Sequence, residues 1–146
     1  TGPAESAERL QFRYWMHYAE GSAMPPLLMT LILGRIRSAP MPFFAKPIAR
    51  AIVDKAMSGF VGPQLKLHMD WMEQSLSDSG WFAGERFTAA DIQMSFPVQA
   101  AAARGGGLEA YPKLRSFIER IEARPGYQAA LKKGGPFELQ RAKPAT

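Results

Sequence analysis

The sequence predicts an all-α fold, a bundle of five or six helices, on three observations. Apolar residues recur at three- and four-residue spacing in two long runs, from Ala4 to Tyr18 and from Ile48 to Ser77. A strongly marked helix start stands at Thr88. No stretch shows the period-two alternation bounded by turn residues that a half-buried strand requires, and no internal repeat is visible.

The first helix is expected from Ala4 to Tyr18, with Ser6 as its cap. Leu10, Tyr14, Met16 or His17, and Gly21 follow helical spacing on one side, and Phe12, Trp15, Ala19 and Ala23 on another. A helix apolar on two sides has two neighbours: its own bundle, and a second domain or subunit. Pro25 and Pro26 are expected to kink or interrupt it, because each lacks an amide donor and crowds the preceding turn. Leu27 to Ile36 resumes the helical run, and three prolines hold residues Ser38 to Pro47 in a loop. Pro47 suits the first position of the next helix. Ile48, Ile52, Phe60, Leu65, Met69, Met72 and Leu76 then mark one side of a long helix, interrupted at Gly62-Pro63 and antiparallel to the first, with Ser77 to Gly80 closing the pair.

The chain is organised around the stretch Trp81 to Pro97. Thr88 is an N-cap residue whose oxygen can accept from the unpaired amides of a first helical turn, and Asp91 can reach back to the Thr88 amide, forming a capping box. Phe87 and Ile92 occupy the positions of a hydrophobic staple, and Gly84 supplies the preceding turn. The helix from Ala89 to Arg104 contains Pro97 and carries almost no charge, which predicts a buried central strut ended by Gly105 to Gly107. Tyr111, Leu114, Phe117 or Ile118, and Ile121 predict an amphipathic helix whose outer face holds Lys113, Arg115, Glu119 and Arg120. A last helix runs from Pro125 to Lys133 with Gly134 placed to cap it. Residues 1–135 thus read as one helical domain and residues 136–146 as a C-terminal tail.

At 47% apolar and 11% aromatic residues, the 146-residue chain can build a real core. The absence of cysteine excludes a disulfide scaffold or a cysteine nucleophile in this chain. The longest apolar run, Met24 to Leu33, is too short to span a bilayer and contains two prolines, so a cytoplasmic protein with no membrane partner is expected. The net charge is +5, with a pI near 9.7, but the basic residues are interspersed with Glu119 and Glu122 and form no block. That pattern reads as a solvated helical surface, with no nucleic acid as partner; a weaker alternative is attraction of an anionic small molecule. His17 and His68 are the two imidazoles, and no cluster has metal-ligand spacing, so no metal is expected. A glycine-rich phosphate loop after a strand, a G-x-S-x-G elbow and an acid–base carboxylate pair are all missing. No catalytic residue is expected in this chain.

The order WFAGERFTAADI from Trp81 to Ile92 resembles the capping-box helix in the C-terminal domain of cytosolic glutathione transferases. Tyr111-Pro112-Lys113-Leu114, running on to Ala123-Arg124-Pro125-Gly126-Tyr127, looks like the last two helices of that domain. WMHYAEGS, Trp15 to Ser22, is similar to the long first helix of bacterial and fungal transferases. The resemblance covers most of the chain. It implies the C-terminal helical domain of a bacterial glutathione transferase, cut at an interdomain linker, with a thioredoxin-like domain upstream that binds glutathione and activates its thiol. The helical domain would supply the pocket for a small hydrophobic electrophile, in an enzyme that conjugates glutathione or reduces a peroxide. It would form a homodimer through its first two long helices, and the chain alone would be inactive. Carried over residue by residue, the pocket falls on Tyr14, His17, Gly21 and Met24, with Ala100 in the capped helix. Met24 stands where some bacterial members carry a histidine near the sulfur. A noncatalytic interaction module of the same fold, as in translation factors or aminoacyl-tRNA synthetases, is the competing expectation.

Overall fold

The computed structural model describes residues 6–76, 78–104 and 107–135. The expected features at Ala4, Ser77, Gly105 and in the tail 136–146 lie outside them. Among the described residues there are seven α-helical segments and no strand. Four of the seven join in pairs, so the architecture is five helical rods.

The first rod is longer than the prolines predict. Helix α1 (Ala7–Tyr18) starts at Ser6, whose Oγ accepts from the Arg9 amide at 3.3 Å. The chain then passes without a break through a π turn, Ala19–Ala23, into α2 (Met24–Ser38). A proline in an α-helix removes a donor and drives its ring against the carbonyl four residues back. Here the residue just before Pro25 reaches one residue further instead, Met24 N–H bonding to Ala19 O, and the widened turn makes room for the rings. The second rod repeats the device. Helix α3 (Lys46–Ala56) continues through the π turn Met57–Val61 into α4 (Gly62–Ser75), with Gly62 N–H bonding to Met57 O ahead of Pro63. Glycine is required at 62 because a Cβ there would stand 2.8 Å from the Met57 carbonyl oxygen. Pro47 is the second residue of α3 rather than its first.

The two rods are antiparallel, since Tyr14 pairs with Trp71 while Tyr18, further along α1, pairs with His68, earlier on α4. Arg37 and Asp54 form an ion pair near the opposite end of the hairpin.

Helix α5 (Ala89–Arg104) packs against α1, α2 and α6. Ala90, Asp91, Met94, Val98, Ala100 and Ala101 are enclosed, as the bland composition predicts, but Ile92 and Phe96 leave one strip of the helix open. Helix α6 (Pro112–Glu122) buries Leu114, Phe117 and Ile121. Its first amides, Lys113 N–H and Leu114 N–H, donate to the two carboxylate oxygens of Glu73 on α4, each at 2.9 Å. Arg120, expected on the outer charged face, instead folds inward: its guanidinium donates to Ser79 O and Gly80 O and lies over the Trp81 ring. Helix α7 (Pro125–Gly134) ends at Gly135, one residue beyond the expected cap, with φ of 78°. The rings of Trp15, Phe82 and Phe117 stack in sequence, at 4.6 and 5.0 Å between centroids, and tie α1 to α6 through the loop before α5.

Candidate functional site

Asp91 fixes the geometry of the central helix. Its side chain has no exposed surface, yet it accepts three hydrogen bonds: from Phe82 N–H at 2.8 Å, Thr88 N–H at 2.7 Å and the Thr88 hydroxyl at 3.0 Å. The Thr88 hydroxyl, expected to accept from the first turn, instead donates its proton to Asp91 Oδ2. A buried carboxylate beside a helix N-terminus is a strong acceptor, so it captures the hydroxyl as well as the amide. The Phe82 amide adds a reach across the preceding loop that a capping box does not contain. Phe87 and Ile92 line the same groove, but Ile92 is 59% exposed, and the Phe87 ring sits between Trp81 and the Arg124 guanidinium.

The pocket residues carried over from the resemblance do not fall on one strip. Tyr14 turns to α4, its phenol oxygen accepting from Trp71 Nε1 at 2.9 Å. His17 and Gly21 are exposed, and a Cβ at Gly21 would meet nothing within 4 Å. Met24 is half-buried against the core. The π turn accounts for Met24, since one added residue rotates the helix beyond it by about 100° relative to uninterrupted α winding, while Tyr14 is engaged by Trp71. Ala100, expected on the cleft wall, is fully enclosed within this helical domain. Gln93 Nε2 on α5 donates to Glu20 Oε1 at 2.8 Å and so ties α5 to the π turn.

Sequence reasoning missed the seam between α1 and α4. The Tyr18 hydroxyl and His68 Nδ1 lie 2.6 Å apart with their rings edge to face. Burial, with Tyr14 nearby as a smaller cause, pushes the Tyr18 phenol well above its ordinary range. Burial also lowers His68, so both groups are neutral at pH 7. These residues are 50 positions apart in the chain, and no local spacing announces them. A second missed feature is a groove of about 380 Å³ between α5 and α7, lined by Phe87, Ile92, Ile121, Arg124 and Tyr127, where Gln99 Nε2 donates to the Tyr127 hydroxyl at 2.9 Å.

Chemically the region around the first π turn offers the exposed imidazole of His17 and the half-buried thioether of Met24. No group of three or more His, Asp or Glu side chains among the described residues is arranged to hold a metal ion. No described helix is long and apolar enough to cross a membrane.

Comparison with known proteins gives consistent matches. The family model for the glutathione S-transferase C-terminal domain matches residues 50–125. Glutathione S-transferase 1 of Saccharomyces cerevisiae is 32% identical over 125 residues, covering 84% of this chain and 53% of the yeast protein. Glutathione S-transferase 3 of Schizosaccharomyces pombe is 31% identical over 127 residues, covering 87% and 52%. A crystal structure of a glutathione S-transferase from Actinobacillus pleuropneumoniae matches in fold, with a TM-score of 0.67 over 99% of this chain and 59% of that one, at 23% identity. The chain spans about half the length of the curated relatives it matches.

Proposed function

Since this chain belongs to the glutathione S-transferase C-terminal domain family, we propose that it is the electrophile-binding half of a glutathione transferase. In this reading a thioredoxin-like domain upstream binds glutathione and lowers the pKa of its thiol, because the thiolate is the nucleophile. The helical chain contributes the apolar wall against which a small hydrophobic electrophile or a peroxide rests, in a cytoplasmic, detoxifying enzyme. The observation that supports it best is the family match over residues 50–125, which holds the capped helix and α6. His17, Gly21 and Met24 beside the first π turn are the proposed pocket residues. Tyr14 is assigned to a homodimer face instead, since its phenol is tied to Trp71. With Leu10 and Leu67 these two aromatics form an exposed apolar area on α1 and α4.

The test is the natural gene product, by intact mass and then by activity. The expected product is larger by an N-terminal domain of about 50–100 residues and conjugates glutathione to a chlorodinitrobenzene or reduces an organic hydroperoxide, while the 146-residue chain alone does neither. In that two-domain protein, His17→Ala is expected to raise KM for glutathione or electrophile. A natural product joined to an unrelated protein, and inactive with glutathione, would replace this reading with an interaction module.

A further inference from the structure

The hairpin tip between α2 and α3 exposes more apolar surface than its surroundings need. Phe43 and Phe44 are 85% and 64% exposed, with their rings edge to face at 5.8 Å, at the apex of a loop stiffened by Pro40 and Pro42. Phe44, Ile48 and Ile52 recur every four residues, so the apolar surface runs from the apex down the outer side of α3, where both isoleucines are 63% exposed. The same segment is the basic part of the molecule. Between residues 28 and 60 stand Arg35, Arg37, Lys46, Arg50 and Lys55 against the single carboxylate of Asp54, a net +4 within a chain of net +5. All five cations are exposed, and Asp54 is already paired with Arg37.

We propose that this tip docks the protein onto an anionic membrane surface, with Phe43 and Phe44 inserted at the boundary of headgroup and acyl chain and the surrounding cations against lipid phosphates and carboxylates. Exposed aromatic rings at the apex, with Lys46 at the start of α3 and Arg50 one turn further on, fit a polar boundary over an apolar layer. Charge complementarity decides the occupant. Two copies meeting tip to tip would set like charges against each other, whereas an anionic leaflet satisfies both the rings and the cations. The sequence-based expectation of no membrane partner rests on the lack of a spanning segment, and this mode, which departs from that expectation, needs no helix of bilayer length.

The experiment is co-sedimentation of the 146-residue chain with vesicles of phosphatidylcholine alone and of phosphatidylcholine with phosphatidylserine. The expected result is binding to the serine-containing vesicles that falls as salt rises, and a loss of about tenfold in partition on Phe43→Ser with Phe44→Ser. Both positions are exposed, so the melting curve of that variant by circular dichroism should be unchanged. Lys46→Gln with Arg50→Gln and Lys55→Gln should flatten the salt dependence. Absence of binding to the serine-containing vesicles, or binding that the phenylalanine changes leave untouched, overturns the proposal. So does a concentration-dependent dimer, seen by light scattering, that the phenylalanine changes dissolve, since it gives the tip to a second copy.

Discussion

The Tyr18 hydroxyl lies 2.6 Å from His68 Nδ1, a short link across the seam of α1 and α4, and it places a polar pair where the neighbouring side chains are apolar. With both groups neutral, the phenol donates and Nδ1 accepts, leaving the imidazole proton on Nε2. His68→Ala should cost about 1–3 kcal/mol, because it strands a buried hydroxyl. Tyr18→Phe should cost less, about 0.5–1.5 kcal/mol, since it removes the buried donor itself. Denaturant midpoints of the two single variants and the double variant measure the coupling.

The same pair sets a pH dependence. His68 lies below its ordinary value of 6.5 in the folded protein, so the unfolded chain binds its proton first on acidification. The contribution is fully present above pH 6.5 and is lost as pH falls from there toward the lowered folded value. A melting series should show stability dropping on mild acidification below pH 6.5, and His68→Asn should flatten that part of the profile.

Asp91→Ala should be among the costliest single changes in the chain, about 2–4 kcal/mol, because it removes a cap and leaves the Phe82 and Thr88 amides without their acceptor. Asp91→Asn keeps the shape and one acceptor oxygen, and should lose roughly half as much. Chemical denaturation of both variants checks the order.

Glu73 caps a helix that is not its own. Glu73→Ala should cost about 1–2 kcal/mol and raise amide exchange at Lys113 and Leu114, the two donors it serves at the start of α6. Exchange measured by mass spectrometry or NMR should localise the effect to that turn.

Gly80 has φ of 79°, and a Cβ there would collide with the Arg120 guanidinium. Gly80→Ala should therefore cost more than the roughly 1–2 kcal/mol of left-handed backbone strain alone, because Arg120 must also give up its bonds to Ser79 O and Gly80 O. Arg120→Ala combined with Gly80→Ala should show a cost smaller than the sum of the two, read from thermal denaturation.

Most of the architecture is legible in local signals. Helical periodicity marks the two long rods and α6, the Thr88 to Asp91 spacing marks the start of the central helix, and Pro125 with a following glycine marks the last. What escapes depends on partners distant in the chain. Arg120 reads as a surface cation in its own helix, and only the turn at Ser79 and Gly80, packed beside it, draws it inward. Glu73 reads as an ordinary helical carboxylate until α6 docks its amides on it. The single face expected for the pocket residues is divided for a geometric reason. Tyr14, His17, Gly21 and Met24 align at 3.6 residues per turn, but the π turn ahead of the prolines rotates Met24 away and Trp71, 57 positions off, engages Tyr14.

Both long rods change pitch once, each just ahead of a proline. Their outer halves are thus aimed by residue count more than by residue identity. A substitution within Ala19–Ala23 or Met57–Val61 leaves the compass bearing of the hairpin tip alone. Loss or gain of one residue within Ala19–Ala23 would rotate α2 by about 100° and draw Leu27 out of the core, so the length of that turn is held by the packing on both sides of it.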